Sequence, residues 1–182
     1  MEKLNIASIN WVKRRFKLTK DIINYKDNIV QLAGTREGLF NVALALTPRK
    51  KNNLKPAILI PDPFYQVYAG ASRISGADPI FVRSLRKNNF IPAFSNISKE
   101  TLNRTSIIYV CSPSNPEGTS LKLEDWKNLI FLARNNHATL IVDECYTDIY
   151  SETPPIGVLE ACKILNTDIS NIISFHSLSK RS

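Results

Sequence analysis

Hydrophobic residues fall in short, dense runs separated by polar segments. Five runs stand out: Ala57-Ile58-Leu59-Ile60, Pro79-Ile80-Phe81-Val82, Ile107-Ile108-Tyr109-Val110, Leu140-Ile141-Val142 and Ile172-Ile173-Ser174-Phe175. Each is continuous rather than alternating, which predicts strands buried on both faces, as in a parallel sheet. A shorter candidate strand, Ile29-Val30-Gln31-Leu32, precedes them. Between the runs the apolar spacing turns helical. Leu39, Phe40, Val42, Ala43, Leu44 and Leu46 follow Gly34-Thr35 and stop near Pro48, and Trp126, Leu129, Ile130 and Ala133 follow Leu123-Glu124-Asp125. Alternating strands and helices predict a doubly wound α/β layer, with ligands at the carboxyl ends of the strands. Residues 151–156, with Pro154-Pro155, read as a loop.

Length and composition narrow this picture. A chain of 182 residues, 43% hydrophobic, can bury one sizeable core. No apolar run approaches the roughly 20 residues of a membrane span, and the first residues lack a secretory signal's apolar stretch. Cys111, Cys145 and Cys162 form no CxxC pair, so they read as reduced thiols and the expected location is the cytoplasm. The net charge of +8 lies wholly in residues 1–55, which hold 12 Lys+Arg against 4 Asp+Glu. Lys13-Arg14-Arg15 and Arg49-Lys50-Lys51 flank helical patterns, so they read as solvated helical faces, and no nucleic-acid partner is expected.

Four features at strand ends carry candidate chemistry. Gly34-Thr35-Arg36-Glu37-Gly38 opens a helix whose free N–H groups suit a phosphate, although a plain Thr N-cap would also explain it. Cys111-Ser112-Pro113-Ser114-Asn115-Pro116-Glu117-Gly118 is a turn from which Asn115 could present its amide, or simply an Asn-Pro turn. Asp143 ends a very apolar strand, where a buried carboxylate needs a cationic or hydrogen-bonding partner. A protonated pyridine nitrogen would be one. Lys180 emerges from a small-residue turn after the last strand; it is either a solvated lysine or an amine made nucleophilic by its surroundings.

Taken in order, G-T-x-E, P-x-Y, S-N-P-x-G, D-E-x-Y and S-x-S-K resemble the large domain of fold-type I, class I/II aminotransferases that use pyridoxal 5′-phosphate (PLP). The wording is similar to the bacterial succinyldiaminopimelate aminotransferase group. The resemblance implies a mostly parallel sheet, incomplete at both ends. Residues 1–28 would be a helical lead-in and residues 29–182 a PLP-binding large domain truncated after the lysine, without the small C-terminal domain. It also implies a gap between the strand at 172–175 and that at 29–32, and a fragment inactive alone.

By position, the resemblance makes Lys180 the Schiff-base lysine and proton carrier, and Asp143 the partner of the pyridine N–H. Tyr146 and Asn115 would share the cofactor's O3′. Gly34, Thr35, Arg36 and Ser177 would cradle the phosphate, and Tyr65 would stack on the ring. Cys145 reads as packing beneath it, and His176 and His137 as structural, with no metal site. The implied reaction moves an amino group between an amino acid and a 2-oxo acid, in amino-acid (lysine/diaminopimelate) biosynthesis, by a homodimer. Three readings compete: a PLP lyase or synthase, a non-catalytic remnant, and a nucleotide-driven ATPase suggested by Val142-Asp143-Glu144. The last lacks the G-x-x-x-x-G-K-[ST] loop it would need.

Overall fold

In the computed structural model, which describes residues 1–19 and 22–180, the five continuous runs form the five strands of one parallel sheet. They are β1 (Ala57–Asp62), β2 (Asp78–Arg83), β3 (Thr105–Cys111), β4 (Thr139–Asp143) and β5 (Ile172–Phe175). Their spatial order is β2-β1-β3-β4-β5. The chain steps from β1 outward to β2, then returns to lay β3 on the other side of β1, so the winding reverses between β1 and β3. Crevices at such a reversal are where open α/β sheets bind ligands.

Strand periodicity divides the core into two layers. Ile58 and Ile60 of β1, Ile107 and Tyr109 of β3 and Ile141 of β4 pack beneath α2 (Thr35–Leu46) and α3 (Gln66–Ile74), with Leu39, Ala43, Tyr68 and Ala71. Leu59, Ile108, Val110, Leu140 and Val142 face the other way. They meet α1 (Glu2–Arg15), α5 (Leu123–Asn135) and α6 (Val158–Ile164) through Ile9, Val12, Trp126, Ile130, Val158 and Ala161. Burial on both faces is why β1, β3 and β4 read as unbroken apolar runs, whereas β2 and β5, at the sheet edges, are only partly buried. A short helix, α4 (Lys99–Asn103), leads into β3; its N-cap Ser98 accepts from the Thr101 N–H.

Several expectations need correction. Residues 29–32 form no strand: they run without a ladder partner, with Val30 81% exposed, and line a cleft that β5 also lines. β-propensity alone cannot make a strand where no neighbour offers hydrogen bonds. Thr35 is not the N-cap of α2. Gly34 holds that place in extended conformation, with no side-chain cap, so the first N–H groups of the helix are not satisfied by a Thr35 hydroxyl.

Two basic residues assigned to solvated faces are structural. Arg15 is nearly buried. Its guanidinium donates to Asp148 Oδ1 (3.1 Å), to Thr147 O (2.7 Å) and Oγ1 (3.0 Å), and to Pro155 O (3.2 Å). It thereby ties the end of α1 to the loop after β4. Lys51 donates to Thr105 O, to Asn136 O (2.6 Å) and to His137 O (2.9 Å), joining the end of α5 to the start of β3. A cation among carbonyls at a helix C-terminus is favourably placed. No helix among the described residues is long and apolar enough to cross a membrane.

Candidate functional site

The nine residues singled out as a cofactor site, Gly34, Thr35, Arg36, Tyr65, Asn115, Asp143, Tyr146, Ser177 and Lys180, all line one cleft of about 2210 Å³. Single ligand pockets usually measure roughly 300–1,000 Å³, so the cleft has room for more than one small molecule. Its floor is built from the carboxyl ends of β1, β3, β4 and β5, and one wall from the start of α2.

Asp143 closes β4 on the same sheet face as Ile141, towards α2 and α3, and is buried. Its Oδ2 accepts a 2.7 Å hydrogen bond from the Tyr68 hydroxyl, and its Oδ1 a 3.2 Å bond from the Cys145 N–H. Among the described residues two donors thus hold the carboxylate, and no charged side chain is bonded to it. Tyr68 stacks on Tyr109 (4.5 Å between centroids, 13° between planes), and Tyr109 in turn donates to Leu39 O of α2 at 2.6 Å. Burial, then the charge of Asp143, pushes the Tyr68 hydroxyl well above its ordinary value, so it remains a donor.

Along the cleft, Asn115 Nδ2 donates to the Tyr146 hydroxyl oxygen (3.2 Å). That oxygen therefore receives a hydrogen while keeping its own to give. Burial raises the Tyr146 hydroxyl, and the Asn115 bond opposes this. The turn carrying Asn115 closes through Ser114 N–H to Thr119 O (2.8 Å), with Gly118 at φ +70°, a conformation suited to glycine.

At the start of α2 the Arg36 side chain donates to the Tyr65 hydroxyl (2.7 Å), which raises its own already high value. Tyr65 meets Tyr68 edge-on at 5.8 Å. Gly38 lets this helix approach the sheet, because a Cβ there would stand 2.4 Å from Leu32 and 2.7 Å from Phe175. After β5, Ser177 Oγ accepts from the Ser179 N–H (3.1 Å), forming the turn that exposes Lys180 at the cleft. Arg181 and Ser182, which follow that motif, lie outside the described residues. Cys145 packs against Thr35 (Sγ to Oγ1, 3.6 Å), and burial, then Asp143, pushes its thiol up to about 12, far from a thiolate. This agrees with a packing role.

The donor set suits a flat, phosphorylated, cationic ring. It offers a buried carboxylate for a ring N–H, a paired hydroxyl and amide for a phenolic oxygen, helix N-terminal N–H groups for a phosphate, and an amine for covalent attachment. The aminotransferase class I and II family model matches residues 7–182.

The chain belongs to the class I and II aminotransferases.

Among aminotransferases of known structure it is similar to one from Neisseria meningitidis, with a TM-score of 0.93, 36% identity, and coverage of 100% of this chain and 45% of that one. Aminotransferase AspB from Helicobacter pylori gives a TM-score of 0.88 at 34% identity, covering 100% of this chain and 46% of that one. The LL-diaminopimelate aminotransferase of Aquifex aeolicus is 31% identical over 176 residues, which is 96% of this chain and 42% of the relative. The chain thus spans less than half the length of the aminotransferases it matches.

Sequence reasoning missed Tyr68, which lies in the first turn of α3, three residues after its N-cap Tyr65. It also missed what surrounds His176. That imidazole, read only as structural, lies 2.7 Å from Ser174 Oγ and 3.5 Å from the Glu144 carboxylate.

Proposed function

We propose that this chain is the PLP-binding part of an aminotransferase that moves an amino group between an amino acid and a 2-oxo acid. The observation that carries the reading is the convergence of Asp143, Tyr146, Asn115, the start of α2 and Lys180 on one cleft at the strand ends. PLP supplies an aldehyde carbon that bonds amines and a protonated ring that draws electrons from the neighbouring carbon. Asp143 would hold the ring N–H in its charged form, because a carboxylate beside a cation favours protonation. Tyr146 and Asn115 would bind the phenolic oxygen. Gly34, Thr35 and Arg36 through backbone N–H groups, with the Ser177 hydroxyl, would hold the phosphate, and Tyr65 would cover the ring face. Lys180 Nζ would attach the cofactor and, once displaced by a substrate amine, carry a proton to and from the substrate Cα.

In this reading residues 29–182 are the cofactor-binding unit, and residues 1–28 lead into it while lending α1 to its core. The similarity to LL-diaminopimelate aminotransferases supports a place in diaminopimelate and lysine biosynthesis. A cytoplasmic location and a homodimeric assembly belong to the same proposal. The test begins with PLP added to the purified chain. A visible absorbance band, absent in Lys180→Ala and weakened in Asp143→Asn, is expected. Absence of any band in the unaltered chain refutes the site. In a full-length version, a 2-oxo acid formed one-for-one with the amine form of the cofactor supports transamination, whereas ammonia release moves the reaction to a lyase.

A further inference from the structure

The two acidic residues of Asp143-Glu144 separate, because successive residues at a strand end point to opposite faces. Asp143 turns towards α2 and α3. Glu144 turns to the α1/α6 side, and its carboxylate is completely buried. There Oε1 accepts from the Val158 N–H at the start of α6 (2.9 Å), and Oε2 accepts from Ser174 Oγ of β5 (2.8 Å). The same oxygen lies 3.5 Å from His176 Nε2, and Ser174 Oγ lies 2.7 Å from that nitrogen. The Glu144 backbone N–H also donates to Phe175 O (2.9 Å). Trp11 and Phe16 close over the imidazole with centroids at 5.2 and 5.4 Å. Gly157 leaves the carboxylate its room, since a Cβ there would stand 2.6 Å from Glu144 Oε1.

Burying a carboxylate is costly, and an apolar side chain would fill this layer more cheaply. What the carboxylate adds is direction. It fixes Ser174 and His176, the last residues before the turn that carries Lys180.

We propose that Glu144 is a positioning residue: through Ser174 and His176 it sets the register of the Ser177-Leu178-Ser179-Lys180 turn against Asp143. The inference rests on the reading of Lys180 given above. Asp143 and Glu144 share one strand end, so a shift of that end moves the carboxylate of the cleft and the anchor of the lysine turn together.

The chain contains only two histidines, so NMR resolves His176 with His137 as an internal control. In Glu144→Gln the His176 imidazole should hold its proton less readily, because the carboxylate oxygen 3.5 Å from Nε2 gives way to an uncharged amide. The amide signals of residues 177–180 should shift in Glu144→Gln and also in Ser174→Ala, a milder variant that tests the link if the first does not fold. With saturating PLP and borohydride, trapping of Lys180 should slow by roughly 10-fold or more in Glu144→Gln, measured well below its unfolding midpoint. A merely structural Glu144 would lower the midpoint and leave His176 and the saturated trapping rate unchanged, which overturns the proposal. So do unmoved 177–180 amides in both variants. If the unaltered chain never acquires PLP at Lys180, the cofactor reading fails, and the two NMR measurements still decide the role of Glu144.

Discussion

Replacing Tyr68 with phenylalanine tests whether the carboxylate of Asp143 is held by the pair of donors described above. The substitution keeps the ring stacked on Tyr109 and removes one hydroxyl, so it isolates the 2.7 Å bond to Asp143 Oδ2. Both partners are buried, Tyr68 at 1% exposure and Asp143 at 6%, so water cannot readily take the place of the hydroxyl. A buried acceptor left short of a donor costs about 1–3 kcal/mol, with the upper part of that range fitting a charged group. For a chain of this size each kcal/mol moves the unfolding midpoint by about 2–4 °C, so the expected loss is roughly 3–10 °C.

Thermal unfolding followed by circular dichroism at neutral pH measures it, with Tyr109→Phe as the companion that loses only the bond to Leu39 O. Alkali adds a signed check. Burial and Asp143 raise the Tyr68 hydroxyl, whereas in the unfolded chain it ionises near its ordinary value of 10.0. The unfolded chain therefore sheds this proton first. The contribution of Tyr68 is complete below pH 10 and declines above it, and Tyr68→Phe should remove that part of the decline. The reasoning is refuted if Tyr68→Phe stays within about 0.5 kcal/mol of the parent, the range of an inconsequential surface change. It is equally refuted if the loss is undiminished in an Asp143→Asn background, because coupled partners must fail to add.

Burial raises Glu144 from 4.5 to about 7, opposed by Ser174, the Val158 N–H and the charge of Arg15, and aided by Asp143. Its stabilising protonated form is fully retained below pH 4.5 and lost as pH rises to about 7, a difference of about 3 kcal/mol. Glu144→Gln should therefore flatten the stability profile between those values, which urea titrations at pH 5 and pH 8 would show. Lys51→Met deprives three backbone carbonyls of a charged donor and should cost about 1.5–3 kcal/mol in the same assay. Gly157→Ala places a methyl group 2.2 Å from Phe16 as well as against Glu144, so a loss of about 1–3 kcal/mol is expected from calorimetry.

The centre of the sheet was legible because a strand covered on both faces has to be apolar throughout, as β1, β3 and β4 are; the runs at the two edges, β2 and β5, became strands although they are only partly buried. The helices α2 and α5 were legible for the same kind of reason, a buried stripe at helical spacing that ends in Leu39 and Ala43 or in Trp126 and Ala133. Residues 29–32, Ile-Val-Gln-Leu, are also rich in strand formers yet form no strand, because a strand needs a neighbour's backbone, which no local pattern supplies. The short helices α3 and α6 offered too few turns for a period to show.

The site divides in the same way. Which residue types follow the strands is written in the chain: a tyrosine after β1, an asparagine after β3, a carboxylate and a second tyrosine at the end of β4, and a lysine after β5, in that order. Their gathering in one cleft, and the donors that make each tenable there, depended on packing. Tyr68 reaches Asp143 across 75 positions, and Arg15 reaches Asp148 across 133. Local sequence fixes what a residue can donate, accept or bury. Only the assembled layers decide which partner arrives, because burial and hydrogen bonding are set by whatever occupies the neighbouring volume.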